Sequence, residues 1–96
     1  MYVATLNVWS NLVTQDMIRQ MSIKAAELNG DLAEELDKMR VVNRNNYMVS
    51  DDENASLELQ GMQTTKRYWV SEDAANQWIE WIKANFESTL VSIEIV

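Results

Sequence analysis

Two periodicities alternate along the chain. Residues 2–9, YVATLNVW, place Tyr2, Ala4, Leu6 and Val8 on one side and Val3, Thr5, Asn7 and Trp9 on the other. That period of two, in a stretch rich in strand formers, predicts a strand. From Ile18 the spacing changes: Ile18, Met21, Ala25 and Leu28 recur at intervals of three and four, as a helix burying one face requires. Thr14 stands at the N-cap, Asp16 meets the positive end of the helix dipole, and Val13 with Ile18 brackets the cap as a hydrophobic staple. Asn29-Gly30 is a stop signal, Asp31 and Glu34 have capping-box spacing, and Leu32, Leu36 and Met39 continue the stripe. One straight helix over 14–39 would be about 39 Å long at 1.5 Å per residue. Strands of so small a domain do not cover that length, so the pattern predicts a break near Gly30.

Residues 41–49, VVNRNNYMV, carry strand formers at both ends and polar groups on both faces, which suits a strand near a sheet edge. SDDEN at 50–54 reads as a turn, and residues 55–62 alternate again. Gly61 and the following QTT suggest a bulge or short turn before a strand at KRYWV, 66–70. Ser71 caps a second helix with Glu72 and Asp73 in its first turn, and Val70 with Ala75 holds the staple positions. Its apolar stripe is Ala75, Trp78, Ile79, Ile82 and Phe86. The closing TLVSIEIV alternates Val91, Ile93 and Ile95 with Ser92 and Glu94, a final strand. The order β-α-β-β-α-β predicts an α+β, ferredoxin-like antiparallel sheet with two helices on one face, formed by residues 1–96 as one domain.

Composition narrows the chemistry. The 96 residues contain no Cys and no His, which removes thiolate nucleophiles, disulfides, the usual zinc ligands and every His-dependent triad. No Gly-rich phosphate loop is present. Asp51-Asp52-Glu53 lacks EF-hand spacing, and Glu34, Glu35 and Asp37 read as a solvated helix face, so no metal site and no cofactor is expected. Net charge is −7, which disfavours nucleic acid and anionic membranes and suits a protein partner with a basic surface. No membrane span and no secretory signal are visible, so the expected location is cytoplasmic and Asn54-Ala55-Ser56 is not expected to be glycosylated.

Three of the four tryptophans fall within residues 69–81. Trp78 belongs to the helix stripe and reads as core, and Trp81 as a packed rim residue. Tyr68 and Trp69 must point to opposite faces of their strand. If Ala4, Leu6 and Val8 face the helices, then Val3, Trp9 and one of Tyr68 and Trp69 look away from them. Such a face needs a second copy, a ligand or a partner.

Two families resemble the chain at this point. Asn7 and YWVSEDAANQW resemble the dimeric α+β-barrel group, which includes antibiotic-biosynthesis monooxygenases and haem-degrading enzymes. The resemblance implies that Asn7 and Trp69 line a cleft between sheet and helices, with Arg67 or Tyr47 as a further candidate group. The haem-degrading members use a His ligand in the second helix, and this chain has none. MYVATL and SEDAANQWI resemble the RNA-recognition motif, which implies base stacking on Tyr2 and Tyr68 and a positive spot where Lys66 and Arg67 join Arg40 or Arg44. The strand-3 glycines of that motif are missing.

The residues lead to a non-catalytic interaction or regulatory domain, paired as a homodimer through its open sheet face or a sheet edge. Val3, Trp9, Arg67, Tyr68 and Trp69 are the candidate interface or ligand-binding residues. A cofactor-free oxygenase using Asn7 and Trp69, and an RNA-binding domain, are the alternatives.

Overall fold

The computed structural model describes residues 1–46 and 61–95. Strand β1 (Tyr2–Trp9) leads into helix α1 (Gln15–Asn29), a 3-10 turn (Gly30–Leu32) and the short helix α2 (Ala33–Lys38). Strands β2 (Val41–Asn46) and β3 (Gly61–Trp69), helix α3 (Glu72–Phe86), a second 3-10 turn (Glu87–Thr89) and β4 (Leu90–Ile95) follow. The strands form one four-stranded sheet in the order β2-β3-β1-β4, and every neighbouring pair is antiparallel. Helices α1 and α3 each connect two strands separated by one other strand. That split βαβ arrangement is the ferredoxin-like α+β class.

Local chemistry starts and stops the helices. Thr14 Oγ1 accepts from the Met17 N–H at 3.2 Å, and Ser71 Oγ accepts from the Ala74 N–H at 3.2 Å. Each satisfies one of the N–H groups that a helix start leaves unpaired. The first helix does break at Gly30, which takes φ 58°, the only positive φ among the described residues, in a region where a Cβ is disfavoured. Its N–H donates to Ala26 O and closes α1. Asp31 does not act as a cap. Leu32 holds the cap position of α2 in a helical conformation without a side-chain bond, and a capping bond needs an extended residue there.

All five residues of the expected α3 stripe are buried. With Ala4, Leu6 and Val8 of β1, Met21 and Ala25 of α1 and Trp69 of β3 they make one core cluster, so both long helices share one face of the sheet. Leu36 is the buried residue of α2, whereas Leu32 and Met39 are exposed. Val70 is exposed as well, so it does not close a staple over α3.

Two strand expectations need correction. Nothing interrupts β3 at residues 61–65: its register with β1 runs from Met62 opposite Trp9 to Trp69 opposite Tyr2 without a shift. Unbroken pairing on both sides, with β1 and with β2, holds Gly61 and Gln63 in the ladder despite their weak strand preference. The bulge sits in β4 instead. Asn7 pairs with Ser92 but Val8 with Leu90, so Val91 is the extra residue and is exposed. Leu90 takes the inward place, and Ile93 and Ile95 pack on the core as expected. The turn at 50–54, the strand at 55–60, the Asn54-Ala55-Ser56 and Asp51-Asp52-Glu53 readings, Tyr47 and the end of the 41–49 strand lie outside the described residues. Among those described, no helix is long and apolar enough to cross a membrane.

Candidate functional site

Strand alternation sorts the candidate residues onto two faces. Gln63, Thr65, Arg67 and Trp69 of β3 turn toward the helices and are buried. On the other face Val3 lies opposite Tyr68, Thr5 opposite Lys66, Asn7 opposite Thr64 and Trp9 opposite Met62. Tyr68, not Trp69, therefore joins Val3 and Trp9 on the open face. Arg67 and Trp69 do not belong to that surface.

The pair Asn7 and Trp69 is separated by the sheet, so the cleft that the enzyme resemblance implies is not formed by these two residues. Trp69 is fully buried, with its ring 5.6 Å from that of Trp78. Asn7 belongs to a polar ladder across the open face: Thr64 Oγ1 donates to Asn7 Oδ1 at 2.6 Å, and Asn7 Nδ2 donates to Ser92 Oγ at 2.8 Å. Tyr2 and Tyr68 also fall on opposite faces, so they cannot stack neighbouring bases on one surface. Lys66 points away from the arginines expected to join it. Trp78 and Trp81 meet expectation, the first buried and the second half-buried with its ring edge-on to Phe86 at 5.4 Å.

On the helix side, the half of the sheet toward β2 is hollow. A cavity of about 280 Å³ separates α1 from the inward faces of β1, β3 and β2. Leu6, Val8, Val13, Ile18, Met21, Val42 and Trp78 give it apolar walls, and Gln15, Ser22, Gln63 and Thr65 add polar groups. The remaining lining residues are Arg40, Arg44 and Arg67. No carboxylate is among the described residues that line it.

Arg67 anchors this arrangement. Its side chain is 5% exposed, and its guanidinium lies 5.5 Å from the centre of the Trp78 ring, a favourable cation–π position. Nη1 donates to Asp37 Oδ1 at 3.2 Å and Nη2 to Ser22 Oγ at 3.2 Å, while the buried Nε has no partner among the described residues. Arg40 uses the same two groups: its Nη1 donates to Ser22 Oγ at 3.2 Å and its Nε is 3.9 Å from Asp37 Oδ1. One half-exposed carboxylate thus serves two guanidinium groups. Burial lowers the Arg67 pKa from its ordinary value, the neighbouring charge of Arg40 adds to that, and Asp37 opposes it.

Sequence reasoning named Arg67 and its possible neighbours Arg40 and Arg44, but placed them on the surface. It missed Ser22 and Asp37 as their partners. One signal was available: residues 67 and 69 share a face, so an inward Trp69 brings Arg67 inward with it.

No protein-family model matches the chain, and no curated protein matches it. Among solved structures it is similar to At3g17210 of Arabidopsis thaliana, at 12% identity and a TM-score of 0.39 over 99% of this chain and 89% of that one. A likeness at that level carries no function across.

Proposed function

We propose that the protein is a small acidic, non-catalytic interaction or regulatory domain, and that two copies pair through their open sheet faces. The observation that carries this reading is the make-up of that face. Val3 lies beside Tyr68 at one end and Met62 beside Trp9 at the other, while the helices occupy the opposite side. The polar middle does not oppose burial, because Thr64, Asn7 and Ser92 already satisfy one another and leave less hydrogen-bonding capacity to water.

Charge supports a second copy as the occupant. Lys66 and Glu94 flank Thr5 on its two sides. A two-fold axis running along β1 would set Lys66 of each copy against Glu94 of the other, an isologous match. Such pairing is also the assembly implied by the resemblance to the dimeric α+β-barrel group. We carry over its assembly and not its oxygenase chemistry, because Asn7 and Trp69 do not meet. The chain has no His or Cys, and the described residues of the cavity lining include no carboxylate as a general base.

Light scattering after size exclusion, over a wide range of concentration, tests the reading. The expected mass is that of two chains, reverting to one in Val3→Glu with its circular dichroism unchanged. A wild-type monomer at every concentration would overturn pairing, and the open face would then belong to a different protein.

A further inference from the structure

We propose that the cavity between α1 and the β2–β3 half of the sheet is a binding site for a small organic carboxylate with a flat apolar body. The cavity lies on the helix side of the sheet, so the inference does not depend on pairing through the other face.

Charge placement is the first argument. The chain has 15 acidic and 8 basic residues, yet the described residues that line this cavity include three of its four arginines and no acid. A random solvated surface of such a chain would be acidic. Gathering three positive charges on one wall raises the local concentration of anions.

The second argument is incomplete neutralisation. Among the described residues, Arg40 and Arg67 share Asp37 as their one carboxylate. Arg44 enters no ion pair among the described residues, and the buried Arg67 Nε lacks a hydrogen-bond partner. Buried charges are ordinarily paired and fully hydrogen-bonded. An anion entering the cavity would add negative charge beside the three guanidinium groups and accept from the exposed Arg44, whose planar fork suits a carboxylate. Ser22, itself on the cavity wall, accepts from both Arg40 and Arg67 and helps to set their orientation before any ligand arrives.

The third argument is the shape of the remaining wall. Ligand pockets run from roughly 300 Å³ upward, and a cavity of about 280 Å³ suits a molecule of one ring or a short chain. Val13, Ile18, Val42 and the Trp78 ring face such a body with apolar surface. A bare inorganic anion would leave these walls against water, so the match is to a molecule with an apolar end and a charged end.

Benzoate is the probe, with benzamide and inorganic phosphate as controls, followed by titration calorimetry on the whole chain. We expect saturable benzoate binding at least tenfold tighter than that of either control, weakened about tenfold by Arg44→Gln and partly restored in Arg44→Lys. Arg44 is exposed and enters no ion pair among the described residues, so these variants leave folding intact, which circular dichroism checks. Three results would overturn the assignment: no saturable benzoate binding, benzoate binding insensitive to both Arg44→Gln and Arg40→Gln, or phosphate or benzamide binding as tightly as benzoate. The mass of the protein measured in the same buffer keeps a failure of pairing separate from a failure of binding.

Discussion

The helix-facing side of the sheet has two unlike halves. Under α3, toward β4, Trp69, Trp78, Ile79, Ile82 and Phe86 fill the space against Ala4, with Ile93 and Ile95 at the margin. Under α1, toward β2, the sheet presents Gln63, Thr65, Arg44 and Arg67, and a cavity remains. Trp78 stands on the border: one side of its environment is the Trp69 ring, the other the Arg67 guanidinium. A chain of this length has little core to spare, so an unfilled, arginine-lined half forgoes stability that an apolar wall would have added. The filled half maintains the fold, and the hollow half is where a ligand can be held.

Removing the border tests this division most severely. Trp78→Ala deletes the ring between the halves together with the bond from its Nε1 to Met21 O at 3.0 Å. We expect a loss of about 3–5 kcal/mol, read by urea denaturation. A loss below about 1 kcal/mol would mean that the packed half does not carry the fold. A smaller effect is expected on the far side of the sheet. Asn7→Ala breaks two hydrogen bonds, each contributing roughly 0.5–1.5 kcal/mol, and should reduce stability by about 1–2 kcal/mol while leaving benzoate affinity unchanged. An altered affinity would show that the two faces are coupled and that the open face is not independent of the cavity.

The same two halves differ in how far the sequence revealed them. The α3 helix was legible because its signals are local: a Ser71 cap and a stripe at helical spacing agree with one another. The break at Gly30 was legible for the same reason. The α1 half was not, because it depends on pairing between distant strands. Arg40 and Arg44 reach Arg67 only when β2 pairs with β3, setting Val42 opposite Thr65 and Arg44 opposite Gln63, and no spacing within 40–46 announces that partner. Lys66-Arg67 looked like one basic patch, yet neighbours on a strand point to opposite faces. The Asn7–Trp69 pairing failed for a related reason. Their faces follow from the register, with Asn7 opposite Thr64 and Trp69 opposite Tyr2, and a motif match contains no register. The β4 bulge was equally hidden, since Val91 fits the alternation that the fold then shifts by one residue.

The smallest expected change in stability is also the one that separates the halves most sharply. Arg67→Met keeps an unbranched side chain over Trp78 and removes the charge, while Arg40 remains to pair with Asp37. Burial disfavours the charged form of Arg67, with repulsion from Arg40 next and only Asp37 in opposition. A base whose folded pKa is lowered binds its proton more weakly in the folded than in the unfolded chain. Below the lowered pKa both states are protonated and the buried charge opposes folding, and that opposition is relieved as pH rises past the lowered pKa. Replacing buried ion pairs with apolar groups is often neutral or stabilising by about 1–4 kcal/mol. The half-exposed Asp37 and the loss of the Ser22 hydrogen bond place this case at the low end, between no change and about 1 kcal/mol of added stability. Benzoate affinity should nevertheless fall severalfold, because the buried member of the arginine set is gone. A stability that holds or rises while affinity falls identifies Arg67 as a residue kept for binding against the interest of the core. If urea denaturation instead showed a loss above about 2 kcal/mol, the guanidinium would be a structural strut joining β3 to α1 and α2, and the hollow half would belong to the fold as much as the packed one does.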